Sequence, residues 1–246
     1  MLEYLQGFGE RTKNNDFSVL AGIMKKLNGG KDVPFPTSEQ TLSLEEATSE
    51  YKNSLNSPES LTRFMRSFWL GAGQRIGEEY IVSKFPLKSQ EIKERTKNGQ
   101  MAIFCPAEVS RVDLGRMFPK MGSWAVEESN SAVDTINNSG WLWIESSIDA
   151  PNRNTTEKQL GDTLKKAKRQ GQSLRTYIIG GQISKLLTGR YFDEGPTWSR
   201  LLGSCDEGPV LCANFYSLGD LRVSSALSPG GRDGDLGGRS EEVIKA

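Results

Sequence analysis

The sequence contains no histidine among its 246 residues. Histidine is the side chain that titrates near neutral pH, and it is a frequent general base and zinc ligand. Its absence excludes Ser-His-Asp and Cys-His catalysis and every metal site that needs an imidazole. Any catalysis by this chain therefore rests on Asp, Glu, Lys, Tyr or Cys.

Cysteine is scarce, with only Cys105, Cys205 and Cys212 in the chain. An odd, low count argues against a disulfide framework, and the spacing matches no zinc motif. Free thiols in a reducing compartment are the favoured interpretation. A bond between Cys205 and Cys212 across a hairpin is the alternative.

The chain also lacks net charge and long apolar runs. It has 31 basic and 31 acidic residues, so attraction to nucleic acid or an anionic membrane is not a property of the whole chain. No stretch approaches the ~18 apolar residues of a membrane span, and residues 1–6 do not begin a secretory signal. We expect a cytoplasmic protein without membrane contact.

Helix signals dominate residues 1–98. Residues 17–27 have apolar side chains at helical spacing, and Ser43-Leu44-Glu45-Glu46 is a capping box. Ser57-Pro58-Glu59 starts another helix, whose apolar stripe favours a core position.

Strand and turn signals dominate residues 99–246. Residues 124–127 and 140–144 are predicted strands, and residues 210–216 and 221–226 are predicted to form a hairpin around Gly219-Asp220. We expect an α+β fold with a mainly helical N-terminal region (1–98) and a β-rich C-terminal domain (99–246).

One basic segment interrupts the strands. Thr156-Glu157-Lys158-Gln159 is a capping box that opens a predicted helix to about Gln170, with Gly171 as its C-cap. A solvated helix face is the favoured interpretation, and nucleic-acid contact is the alternative. The candidate residues for that contact are Lys158, Lys165, Lys166, Lys168, Arg169 and Arg175.

A first resemblance concerns residues 80–145. The motif Phe-Cys-Pro-Ala-Glu-Val at 104–109, followed by Gly-Ser-Trp at 122–124, resembles a group of uncharacterised bacterial proteins. Ser110-Arg111 stands where those proteins have Gly-Pro. The resemblance implies no activity.

A second resemblance concerns residues 140–245. Trp141-Leu142-Trp143, residues 197–204, the strand into Phe215, the turn at Gly219-Asp220 and residues 236–240 follow one another. This order resembles the C-terminal part of C-type-lectin-like modules of the formylglycine-generating (sulfatase-modifying) type. Enzymes of that superfamily use a reactive cysteine pair and calcium, but Cys205 and Cys212 do not lie in the segment that corresponds to that pair. The resemblance therefore implies a binding module and no catalytic residue.

We accordingly expect a non-enzymatic protein that binds a small ligand or a protein through its C-terminal loops. Exposed Trp, Tyr and Arg give large contact areas and directional hydrogen bonds. The candidate ligand-binding residues are Trp198, Arg200, Tyr216, Arg222, Arg232, Asp233 and Asp235. We expect no cofactor, although the carboxylates of Asp233 and Asp235 make calcium an alternative.

A carboxylate- or metal-dependent hydrolase is a further alternative. Paired carboxylates can divide acid and base roles or hold magnesium. The candidate residues are Glu108, Asp113, Glu127, Glu128 and Asp149, and their spacing forms no recognised motif.

Overall fold

The structure is a computed structural model that describes residues 42–54, 57–128, 132–134, 137–205, 210–225 and 230–245. The helix predicted at residues 17–27 lies outside them. The helices are α1 (Leu44–Asn53), α2 (Pro58–Gln74), α3 (Ser89–Lys97), α4 (Arg111–Met117), α5 (Glu157–Lys166) and α6 (Leu174–Thr188), with 3-10 turns at Pro119–Met121 and Trp124–Val126. The strands are β1 (Gln100–Cys105), β2 (Ala132–Asp134), β3 (Gly140–Glu145), β4 (Gln170–Gly171), β5 (Trp198–Cys205), β6 (Val210–Phe215), β7 (Leu221–Ser224), β8 (Leu236–Gly238) and β9 (Ser240–Val243). The α+β class is confirmed.

Local capping sets several helix starts. Before α1, the Ser43 hydroxyl accepts from the Glu46 amide at 3.2 Å, and the Glu46 carboxylate accepts from the Ser43 amide at 3.0 Å. The capping box predicted at Thr156 and Gln159 is likewise confirmed at the start of α5. Both boxes satisfy backbone amides that have no partner within the helix.

Two sheets form the β structure. Sheet A has the strand order β1-β3-β9-β4, and all its pairs are antiparallel. Sheet B has the order β2-β5-β6-β7, with the short strand β8 parallel to β5. The predicted hairpin is confirmed as β6 and β7.

Helix α6 is packed against both sheets. A Cβ on Gly180 would lie 2.6 Å from Ile144 of sheet A, and a Cβ on Gly181 would lie 2.5 Å from Phe215 of sheet B. The paired glycines therefore permit close packing.

One hydrophobic core includes side chains from both predicted regions. Trp69 of α2 is fully buried and donates its indole N–H to the Phe104 carbonyl of β1 at 2.9 Å. Phe85 packs edge-to-face on Trp141 of β3. The predicted boundary at residue 98 thus separates two segments that share one core.

Two local predictions are wrong. The segment predicted as a strand at 124–127 is a 3-10 turn, because the Ser123 hydroxyl caps the Ala125 amide. The basic helix ends at Lys166 and not at Gln170, since Lys168 takes a positive φ of 56° and turns the chain. Gly171 accordingly lies in β4 and caps no helix.

A buried ion pair joins the last strands to the loop after α6. Arg239 and Asp193 are both fully buried, with Nη2 and Oδ1 3.2 Å apart. Asp193 also accepts hydrogen bonds from Tyr177 at 2.9 Å, from Thr197 at 2.9 Å and from Ser199 at 2.7 Å. These hydrogen bonds compensate for the loss of solvation when the charge pair is buried.

Candidate functional site

Sheet B has an inner face in the core and an outer face that carries polar residues. Leu211, Ala213 and Phe215 of β6 belong to the core. Cys212 and Asn214 alternate with them and therefore lie on the opposite, outer face. Register places Arg200 of β5 beside Cys212, and Arg222 of β7 beside Asn214.

The outer face brings together four of the seven predicted ligand-binding residues. Alternation along the strands places Trp198 and Arg200 of β5, Tyr216 after β6 and Arg222 of β7 on this side. Trp198 is half-buried, while Tyr216 and Arg222 are exposed. The Arg222 guanidinium lies 3.9 Å from the Tyr216 ring centroid, so these two side chains form a cation–π pair.

A cleft of about 730 Å³ opens where α5 crosses this face. Its apolar surface comes from Leu160 and Leu164 of α5 and from Leu202 and Val210 of sheet B. Gly161 also lines it, and a Cβ at this position would meet no atom within 4 Å. The cleft therefore has an apolar floor with open space above the middle of α5.

The cleft margin is basic. Lys158, Lys165, Arg169 and Arg200 line it, with Glu157 as the acidic residue. Members of the predicted ligand-binding set and of the predicted nucleic-acid set thus meet at one place.

Arg200 is buried, which the prediction of an exposed ligand contact did not anticipate. Its side chain is held by the Thr155 carbonyl and, at 2.6 Å, by the Gly231 carbonyl. Within the described ranges, no carboxylate lies within 4.0 Å of its guanidinium. Among the described residues, Arg200 therefore places a buried positive charge at the cleft whose hydrogen-bond partners are neutral carbonyls.

The other three predicted ligand-binding residues lie on the loop before β8. Arg232, Asp233 and Asp235 are exposed, and the Asp233 carboxylate accepts from the Asp235 amide at 3.0 Å. Asp233 thereby closes its own turn. Across the part of the chain that the structure describes, no three Cys, Asp or Glu residues are grouped to hold a metal ion.

Two members of the predicted nucleic-acid set have structural roles, which corrects that set. Arg169 forms an ion pair with Glu242 at 3.1 Å and donates to the Trp143 carbonyl at 3.2 Å. Arg175 is buried and donates to the carbonyls of Val109 and Asn138. The remaining members, Lys158, Lys165, Lys166 and Lys168, are exposed.

The carboxylates of the hydrolase alternative make local contacts. Asp113 caps α4 through Ser110, and Glu128 pairs with Arg116. The remaining three, Glu108, Glu127 and Asp149, are exposed. Asp113 also lies 3.8 Å from Arg116, so Asp113 and Glu128 share one cation as their ion-pair partner.

Cys212 is the described cysteine side chain nearest to Arg200. It is a free, buried thiol, which agrees with the favoured interpretation and not with the alternative of a bond to Cys205. Burial raises the pKa of Cys212 to about 11, against the opposing effect of Arg200. A thiol with so high a pKa is almost entirely protonated at neutral pH and reacts slowly.

Two buried carboxylates at the start of α6 were not predicted from the sequence. The Asp134 carboxylate accepts a hydrogen bond from the Leu174 amide at 2.6 Å, and the Glu241 carboxylate accepts one from the Ser173 amide at 3.1 Å. Both carboxylates therefore lie at the positive end of the dipole of α6. Burial raises the pKa of Asp134 to about 6, although its bonds to Leu174 and Arg175 oppose the shift. No local motif marks either residue.

The cleft was missed as well. Leu160 and Leu164, four residues apart on the basic helix, were the available signal for an apolar helix face. Arg239 was included in the segment that carries the lectin-like resemblance, but its buried partner Asp193 was not predicted.

Comparisons with known proteins place no further constraint on this site. No protein-family model matches the chain, and neither a curated protein nor a solved structure matches it. Within the described residues, no helix combines the length and apolarity needed to cross a bilayer.

Proposed function

We propose that the protein is a non-enzymatic binding protein whose small-molecule ligand occupies the cleft between α5 and sheet B. The observation that carries the proposal is the cleft itself. Its volume of about 730 Å³ lies within the ~300–1,000 Å³ that is typical of ligand pockets. Such pockets combine apolar walls with a few polar groups, as Leu160, Leu202 and Arg200 do here.

The C-type-lectin-like character of residues 140–245 is part of this proposal. The order of strand, hairpin turn, strand and terminal arginine supports it, with β5, β6 and β7 in sequence and Arg239 after β8. The antiparallel pairing of β3 with β9 also joins the two ends of this segment, as expected for a self-contained module.

A cytoplasmic location also belongs to the proposal. The free thiols of Cys105 and Cys212 support it, because oxidising compartments favour disulfides.

A substitution that fills the cleft tests the proposal. The fluorescent apolar dye 1-anilinonaphthalene-8-sulfonate should bind the native protein saturably. Gly161→Trp places a large ring in the open space above the cleft floor and should weaken dye binding at least about tenfold. Gly161→Ala leaves most of that space and should bind like the wild type.

Gly71→Trp is the matched control. It makes the same change on α2, where a Cβ also meets no atom within 4 Å, and Gly71 does not line the cleft. Wild-type dye affinity in Gly161→Trp, or no saturable binding to the wild type, would contradict the proposal.

The exposed lysines on and after α5 favour one second candidate, nucleic-acid binding. Lys158, Lys165, Lys166 and Lys168 form a run of cations with no ion pair among the described residues. This candidate predicts salt-sensitive binding of short oligonucleotides that is lost when Lys165 and Lys166 are both changed to Glu. Binding that survives this charge reversal would reject it.

A further inference from the structure

We infer that the ligand of the cleft is an apolar carboxylate: a hydrocarbon body with one acidic head group that lies against Arg200. This inference rests on the proposed function and specifies its ligand class. It begins from the charges of the described residues at the cleft margin. Lys158, Lys165 and Arg200 lie there with one acidic side chain, that of Glu157, while Arg169 pairs with Glu242.

Arg200 is the cation that most needs a counter-charge. Arg200 is 4 % exposed, and its hydrogen bonds to the described residues run to neutral carbonyls. Burying a charge is costly unless an opposite charge compensates it. A guanidinium has about five N–H donors, and the bonds to two carbonyls leave others for a ligand carboxylate.

The position of Arg200 defines the head-group end of the cleft. One of its nitrogens donates to the Thr155 carbonyl, immediately before the N-cap Thr156 of α5. The positive end of the helix dipole therefore lies at the same end of the cleft as the guanidinium. Both features favour an anionic group there.

The rest of the cleft favours a hydrocarbon. Leu160, Leu164, Leu202 and Val210 supply apolar surface, and Gly161 leaves the space between them open. Sugars and nucleotides carry hydroxyls and ring nitrogens that need hydrogen-bond partners along their whole length, and this floor would desolvate them without compensation. Lys158 lies at the margin in the first turn of α5, near the Arg200 end, where its exposed ammonium adds attraction for an anion.

Matched ligands test the head group. Dodecanoate, methyl dodecanoate and dodecyl phosphate, all below their micellar concentrations, are titrated against the dye-loaded protein. Dodecanoate should displace the dye and bind at least about tenfold more tightly than the ester, which has the same chain without the charge. Octanoate should bind more weakly than dodecanoate, because it buries less apolar surface.

Matched variants test the protein side. Lys158 lines the cleft in the first turn of α5, at the end where Arg200 lies, and Lys166 does not line the cleft. Lys158→Gln should therefore reduce the preference for dodecanoate over the ester, and Lys166→Gln should leave it unchanged. Arg200→Gln should abolish the preference, with circular dichroism confirming that the variant is folded. If Arg200→Gln unfolds, the ligand series on the wild-type protein decides the matter alone.

The possible outcomes distinguish the ligand class from the cleft as a binding site. Equal affinity for dodecanoate and its ester would overturn the carboxylate inference and leave the cleft as a binding site. Tighter binding of dodecyl phosphate than of dodecanoate would overturn the carboxylate in favour of a phosphate head group. Saturable dye binding with displacement by none of the three would overturn the apolar-carboxylate class. Absence of dye binding as well would overturn the proposed function itself.

Discussion

Replacing Arg239 with methionine should strongly destabilise the fold. Arg239 donates to the Asp193 carboxylate through Nε and Nη2, and to the backbone carbonyls of Ser147 and Ile148 at 2.8 and 2.7 Å. Its guanidinium also lies 4.1 Å from the ring centroid of Phe192. Methionine retains apolar volume but removes every one of these donors.

The magnitude follows from what the substitution leaves behind. Asp193 would stay fully buried with hydroxyl donors alone, and the backbone carbonyls of Ser147 and Ile148 would each lose a partner. Breaking a buried ion pair by removing one member typically costs about 3–5 kcal/mol. For a chain of this size, each kcal/mol lowers the melting temperature by roughly 2–4 °C, so the loss should be on the order of 6–20 °C.

Urea unfolding followed by circular dichroism measures the effect. Arg116→Met is the control, because Arg116 is 57 % exposed in its pair with Glu128, and exposed pairs contribute about 0–1 kcal/mol. The double variant Arg239→Met, Asp193→Leu should lose less than the sum of the two single losses. A cost below about 1 kcal/mol for Arg239→Met would refute the reasoning.

Three further outcomes follow from the described contacts. Gly161→Ala should stabilise the protein by about 0.5–1 kcal/mol, because a Cβ at this helix position meets no atom within 4 Å. Gly181→Ala should destabilise it by about 1–3 kcal/mol, because its Cβ would clash with Phe215. Thermal unfolding of the two variants measures both effects. The pKa of Asp134 is raised from 3.8 to about 6 in the fold, so the folded state binds its proton more tightly than the unfolded chain does. This contribution to the free energy of unfolding is full below about pH 4 and is lost as pH rises toward 6. Urea unfolding should show a decrease of roughly 2–3 kcal/mol in the wild type across that window, and Asp134→Asn should remove this pH dependence. Cys105 and Cys212 should resist iodoacetamide in the folded protein and react in urea, since burial raises their pKa values to about 12 and 11; peptide mass spectrometry detects the labelled sites.

The parts of the fold that depend on neighbouring residues were predictable from the sequence. The capping boxes at Ser43 and Thr156 need side chains only three residues apart, and the β6–β7 hairpin needs one turn around Gly219. The strand predicted at 124–127 failed because a single hydroxyl, that of Ser123, favours a 3-10 turn over extended backbone.

The site was harder to predict because its residues come from distant parts of the chain. Arg200 looked like an exposed contact, but its burial depends on carbonyls at 155 and 231. Asp193 and Arg239 are 46 residues apart, and neither position has a local pattern that indicates a buried charge. The cleft floor likewise needs leucines of α5 to face β5, a pairing that only the tertiary structure determines.

The most direct test of the central claim, that the cleft is the binding site, is a ¹H–¹⁵N NMR titration of the protein with 1-anilinonaphthalene-8-sulfonate. The cleft is lined by Gly161 of α5, Gly171 of β4 and Gly230 before β8, and their backbone amides report on binding. The proposed site predicts that their amide signals shift together and saturate, while that of Gly219 at the β6–β7 turn stays in place. Saturable shifts confined to the turn around Gly219, or no shifts at any of these glycines, would contradict it.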